Sequence, residues 1–445
     1  MAVYFKDHDI WSILSTSLLT VLFLWVAYIV VGMVDKFVIT PMRIKRIMNR
    51  QGVKGPSSHL ILGNLPEFTL LKKAETKKDM TTGDYNIVPH ILPFHVRNCQ
   101  TYGKTYLWWF GSEPRITITN LDLIKQVLPN KDHAFGTSQL QIRFSTAIIG
   151  KGLVTTDGEE WALRRQIVSP AFHHEKVKKV KDGGGNVELE VGDYMTHVTA
   201  DIIARTAFGS NYEKGKKMFE EQVTLVDLMD QRDQQRFGAI PGYRFLSSHS
   251  CFQGHETTTT LLTRAMMLLG SHKIWQERAR EEVMEVCGHG DHPIDANMLN
   301  KLKTLTMILN ETLRLFPPIS DQNKEATMDM KLGDLHIPKG LNLYFPRLAI
   351  HHDSELWGAD VHEFKPERFV DGIAKASKNP FAFMPFSFGP QFCVGQGFAL
   401  QEAKLVLVLV LQRFHFHLSP NYRHAPHDKV TLKPKYGVPM IVECL

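Results

Sequence analysis

The chain has 445 residues, a mass of 50.8 kDa and a net charge of +6, with 43% apolar and 22% charged residues. This is the balance of a globular protein with a sizeable core, built as one large domain or as two or three average ones. The mild basic excess suits an anionic membrane surface or an acidic partner better than nucleic acid, since no Lys/Arg run is interleaved with aromatics.

From Ile10 to Val34 the chain carries 25 residues without a charge, IWSILSTSLLTVLFLWVAYIVVGMV. As a helix this run reaches roughly 37 Å, enough to cross a hydrocarbon layer about 30 Å thick with some tilt. Asp35, Lys36 and Phe37 follow directly, where a cleaved signal would place small residues. An uncleaved anchor over residues 1–35 is therefore expected. Lys6, Asp7 and Asp9 precede the run, whereas Lys36, Arg43, Lys45, Arg46, Arg50 and Lys54 follow it. The basic side faces the cytosol, so the body is expected there. Five cysteines with no CxxC pair, Cys99, Cys251, Cys287, Cys393 and Cys444, agree with a reducing compartment. They speak against a disulfide framework and a zinc site.

Residues 36–58 read as a basic, Pro/Gly-rich linker, and residues 59–445 as one mainly α body with a small β portion. Apolar positions near 3.6-residue spacing predict helices over Glu159–Ile167, Lys273–Val286, Met298–Phe316 and Ala399–Phe414. Thr105–Phe110 and Arg115–Thr119 predict a hairpin across GSEP. Short strands are predicted at Leu332–Ile337, Leu341–Phe345, Lys429–Lys433 and Val438–Val442. No GxGxxG or GxxxxGKS loop marks a dinucleotide site. KDGGGN at 181–186 interrupts the body.

Several local patterns carry chemistry. Trp161 and Arg165 stand at i,i+4 on one helix face, where an arginine can fork onto a carboxylate or simply be solvated. In Glu256-Thr-Thr-Thr-Thr260, four threonines are stiff helix formers, which suggests either a helix start or a local opening. Glu311 and Arg314 stand at i,i+3 and can pair. In FSFGPQFCVGQGFA, Cys393 lies among Gly389, Gly395 and Gly397 and the rings of Phe386, Phe388 and Phe392, just before an apolar helix. A thiolate is a soft ligand, glycines admit a flat partner, and a helix start adds positive dipole beside the sulfur. These features suit a haem iron held by thiolate, with a buried structural cysteine as the alternative.

FSFGPQFCVG resembles the haem-ligand loop of the cytochrome P450 monooxygenases, Phe-x-x-Gly-x-Arg-x-Cys-x-Gly. Phe386, Gly389, Cys393 and Gly395 fit it, and Gln391 stands where the family has arginine. Glu311-Thr-Leu-Arg314 and Pro366-Glu-Arg368-Phe follow the family's order and imply a structural charge network of Glu311, Arg314 and Arg368. Gly254-His-Glu256-Thr257-Thr258 resembles the oxygen-binding helix, so the resemblance implies Glu256 and Thr257 as the proton-handling pair. It further implies that Trp161, Arg165 and Lys324, the last in place of an arginine, contact the haem carboxylates.

The resemblance implies a cytochrome P450 fold behind one transmembrane helix, haem b on Cys393 and electrons from NADPH through a membrane-bound reductase. It implies dioxygen and a small apolar substrate as partners, and an endoplasmic reticulum membrane as the site. Phrases such as GDLHIPKG and LAIHHDSELWG resemble the plant branch acting on isoprenoid-derived hormones and terpenoids; His351 and His352 within them read as structural or exposed rather than as metal ligands. Asp321, Gln322 and Asn323 are more polar than the family's substrate-facing segment. Trp161 and Glu256 are also closer together than in relatives, which implies roof helices lost near 175–185 and 246–250. A catalytically impaired haem-binding paralogue or an incomplete gene reading therefore stands beside the active monooxygenase. A haem-thiolate isomerase or dehydratase, and a membrane adaptor without haem, are the remaining alternatives.

Overall fold

The computed structural model describes residues 7–59, 62–129, 134–136, 187–208, 251–289 and 294–445. The predicted helix Glu159–Ile167, the KDGGGN stretch and both proposed points of shortening lie outside them, as do Trp161 and Arg165.

Helix α1 (Asp7–Val34) contains the charge-free run, and its apolar side chains stay exposed: Leu18 is 73% and Phe23 72% accessible. A helix apolar all round that buries nothing in its own protein is long enough for a membrane core. A π-helical turn, Asp35–Ile39, leads into α2 (Thr40–Arg50). Within the stretch expected as linker, α2 buries Ile44 and Met48 in the core because they stand at i,i+4 on one face.

The centre of the fold is α4 (Cys251–Ser271), whose residues from His255 to Leu269 are almost all buried. It packs against α3 (Val191–Phe208), α5 (Lys273–Cys287), α6 (Lys303–Leu315) and α7 (Gln396–Leu411). The predicted opening at the threonines is not seen, and α4 runs unbroken through them. Their hydroxyls are used inside the bundle instead. Thr260 Oγ1 donates to Glu256 O at 2.9 Å, and the Thr259 and Thr199 hydroxyls meet at 2.7 Å, tying α4 to α3. The helix predicted over Met298–Phe316 is divided: Ala296–Lys301 and α6 are separated by Leu302, with ψ 88°.

The larger sheet has the order β1-β2-β8-β5-β3. Its strands are β1 (Tyr106–Phe110), β2 (Glu113–Thr117), β3 (Phe135–Gly136), β5 (Gln322–Ala326) and β8 (Asn342–Phe345). The predicted hairpin is present, with Tyr106 opposite Thr117, and β2 runs parallel to β8. β4 (Val187–Glu190), β12 (Pro439–Cys444) and β9 (Phe414–Leu418) form a second sheet in the order β4-β12-β9. The strand predicted over Leu332–Ile337 is two, β6 (Met330–Leu332) and β7 (Leu335–Ile337), because Gly333 turns the chain at φ 58°. The strand predicted over Lys429–Lys433 is instead the bend at 429–431, which places Thr431 inside, followed by β11 (Leu432–Pro434), with β10 (Pro426–Asp428) before it.

Candidate functional site

The Cys393 loop is closed by its own backbone. Cys393 N–H donates to Phe386 O at 2.9 Å, and Phe392 N–H donates to Gly389 O at 3.1 Å. Gly389 has φ 76°, and a Cβ there would stand 2.4 Å from Leu128 O, so only glycine fits. Ser387 also takes a positive φ, 63°, which costs about 1–2 kcal/mol for a residue with a side chain. Its Oγ donates to Gln322 Oε1 at 3.0 Å, which fixes that turn to β5. Gly395 caps α7, so the helix begins just beyond the sulfur and its amide end lies beside it. The rings of Phe386 and Phe388 pack against the core, while Cys393 and Phe392 are exposed.

Below this loop the predicted charge network is complete. Glu311 and Arg314 are fully buried and paired through two bonds, Nε to Oε2 at 2.7 Å and Nη2 to Oε1 at 2.8 Å. Arg314 Nη1 also donates to Val361 O at 2.7 Å and to His351 O at 3.1 Å. Arg368 joins at 3.4 Å from Glu311 Oε1 and pairs with Asp360 at 2.8 Å. Burial raises the Asp360 carboxyl, but hydrogen bonds from Lys365 and Arg368 outweigh it and hold it at about 2. Of the two readings for His351 and His352, the structure favours the structural one over exposure: both are buried, His351 Nε2 receives Met384 N–H at 3.0 Å and His352 Nε2 bonds Leu315 O at 3.0 Å. Among the described residues no cluster of His, Cys, Asp and Glu could hold a metal by itself.

On α4, Glu256 is 3% exposed and Thr257 half-buried. The Glu256 carboxylate accepts from Thr431 Oγ1 at 3.1 Å and forms an ion pair with Lys433, whose side chain is 40% exposed. The acid is thus engaged from the β10–β11 bend, a partnership that sequence reading did not foresee. Lys324 is buried on β5 and donates to Gln391 Oε1, so two positions that differ from the family pattern meet each other. Asp321 faces Arg115 and hydrogen-bonds Tyr344, and burial with nearby Asp428 raises its carboxyl above the usual range.

Arg347 was missed altogether. It sits 5% exposed beside the Cys393 loop, its charge standing inside the apolar run Tyr344-Phe-Pro-Arg-Leu-Ala-Ile350, and that interruption was the available signal. Its buried Nε has no acceptor among the described residues. An exposed thiol at a helix start, a loop held open by Gly389 and an unmatched buried cation together fit an anionic, iron-bearing macrocycle.

The family profile described as Cytochrome P450 matches residues 88–250 and 244–438. Cytochrome P450 72A15 of Arabidopsis thaliana is 37% identical over 491 residues, covering 91% of this chain and 94% of the relative. A cytokinin hydroxylase of the same plant is 35% identical over 519 residues, covering 96% and 98%. Cytochrome P450 CYP72A616 of Paris polyphylla is 35% identical, covering 91% and 94%. With its thiol loop, its buried Glu311–Arg314–Arg368 network and this similarity along nearly its whole length, the chain belongs to the cytochrome P450 family, whose members are haem-thiolate monooxygenases.

Proposed function

We propose that the chain is a membrane-anchored monooxygenase that hydroxylates a small apolar molecule of the isoprenoid, terpenoid or plant-hormone class. The observation that carries this reading is Cys393, presented on a closed loop at the start of α7 above a fully buried Glu311–Arg314 pair. Haem, when bound, supplies the iron that activates dioxygen. Cys393 would hold that iron, with Phe386, Gly389 and Gly395 shaping the loop around it. Lys324, with Trp161 and Arg165, would hold the carboxylate edge.

Glu256 and Thr257 handle protons. The Glu256 carboxylate, held by Thr431 and Lys433, has a half-exposed ammonium as its link to water. The α1 span and the basic residues after it support a body on the cytosolic face of the endoplasmic reticulum, where an NADPH reductase would supply electrons. The plant relatives named cytokinin hydroxylase support the substrate class.

A second reading, an impaired haem-binding paralogue, is favoured by two observations. Gln391 removes a charge at the loop. The alignment to Cytochrome P450 72A15 runs over 491 positions against 445 residues here, so that relative carries segments this chain lacks. The two family matches meet at 244–250, where one loss was inferred.

The carbon monoxide difference spectrum of the reduced protein tests haem-thiolate ligation. The wild type is expected to give the red-shifted thiolate band and Cys393→Ser to lose it. A wild type without the band sinks both readings. NADPH- and reductase-dependent oxygenation of a terpenoid or cytokinin panel separates the first from the second.

A further inference from the structure

Arg347 begins the single turn Arg347–His351, and its side chain reaches carbonyls of two other segments. Its Nη1 donates to Ile319 O at 3.3 Å and to Pro385 O at 3.4 Å, and its Nη2 donates to Gln322 Oε1 at 3.1 Å. All three acceptors are neutral and two of the bonds are long. Among the described residues Arg347 makes no ion pair, in contrast to Arg314, which has Glu311 at 2.7 Å. A guanidinium cannot shed its proton at neutral pH to escape burial. Burial does pull it down, to about 10, which leaves it charged. Such a cation is costly unless an anion meets it.

The surroundings narrow the choice of anion. Asp321 and Cys393 are the acidic groups within electrostatic reach. Asp321 is already engaged by Tyr344 and Arg115, and the Cys393 sulfur is claimed by iron in the reading above. Position 391 offers a neutral amide, and that amide is taken by Lys324. Arg264 is also buried with an unmatched Nε, but it lies over the Phe316 ring and beside Met267 and Leu432, not at the loop. Arg347, by contrast, touches Pro385, the residue before the Phe386 carbonyl that fixes Cys393, and shares Gln322 with Ser387. An iron porphyrin brings two carboxylates of its own, and these are the anions that the loop lacks.

We propose that Arg347 binds a haem carboxylate and supplies the buried positive charge that Gln391 does not. The proposal rests on the haem-thiolate reading. The planar fork of Arg347 suits a carboxylate, and Gln322, itself bound by Ser387, orients it.

The test compares two cofactors in the full-length protein: iron protoporphyrin IX and its dimethyl ester, which carries no carboxylate charge. The readout is the rate of haem transfer to excess apomyoglobin, with the carbon monoxide spectrum as a second signal. Arg347→Gln is expected to release the free-acid haem about 10- to 100-fold faster than wild type and the diester at the wild-type rate. Arg347→Lys, which keeps the charge and loses the fork, is expected to show a smaller acceleration, again with the free acid alone. If Arg347→Gln fails to fold, the lysine variant carries the same comparison.

Equal acceleration with both cofactors would reduce Arg347 to a packing role and overturn the proposal, as would no acceleration with either. A shifted carbon monoxide band with unchanged release rates would assign the charge to the sulfur and overturn it too. A wild-type chain that gives no thiolate band overturns the parent reading, whereas a normal wild type with a null comparison overturns this proposal alone.

Discussion

At the scale of single residues, the site depends on how few charges the interior admits and how completely each is matched. Glu311 has two acceptor oxygens and both are used: by Arg314, by Arg368 and by the Lys365 amide at 3.0 Å. Glu311→Ala leaves Arg314 buried without an anion and Arg368 with Asp360 alone. It is expected to cost about 3–5 kcal/mol, read as a drop in the urea midpoint at unchanged slope. The i,i+3 spacing made this pair legible, and the PERF phrase made its third member legible by resemblance. Lys433 was not legible as a partner of Glu256, because a contact between distant strands and helices leaves no local pattern. Arg347 left only a charge in an apolar run, and its meaning comes from Ile319 and Gln322 on one segment and Pro385 on another.

At the scale of elements, periodicity located α5, α6, α7 and the β1–β2 hairpin, with differences at their ends, but did not mark α2, α3, β4, β5 or β9. Met298–Phe316 reads as one helix because its apolar positions keep phase, yet the chain breaks at Leu302. The break is stabilised from outside. Glu282 on α5 accepts the first amides of α6, Thr304 N–H at 2.7 Å and Leu305 N–H at 3.1 Å. A carboxylate at a helix N-terminus satisfies orphan donors and opposes the dipole. A cap borrowed from another helix cannot be seen in the capped helix's own sequence. Glu282→Ala is expected to destabilise the fold by about 1–2 kcal/mol, measured by thermal unfolding, with the carbon monoxide band unchanged. The threonines of α4 teach a related lesson. Low helix propensity suggested a helix start or an opening, but burial of Thr258, Thr259 and Thr260 and the Thr259–Thr199 contact override it.

At the scale of the whole molecule, acid sensitivity follows from histidines held neutral in the core. Burial lowers His95 to about 4, His352 to about 3 and His424 to about 4. Below an unfolded value near 6.5 the unfolded chain binds protons that the folded chain refuses, so acid favours unfolding. The full contribution is present above that value and is lost as pH falls toward the folded values. At pH 5 each histidine is expected to cost about 2 kcal/mol relative to neutral pH. Urea titrations between pH 7 and 5 should therefore show a falling midpoint, and replacing His352 by Gln should flatten that fall.

The bond between Glu256 and Lys433 has a consequence for biosynthesis. An acid on the central helix is held by a side chain that is synthesised long after it, beyond the haem-loop residues. The ribosome must complete that loop and α7 before the proton-handling carboxylate has its counter-ion. A premature stop between the haem loop and Lys433 would spare every haem-loop residue and still leave that acid without its ion pair.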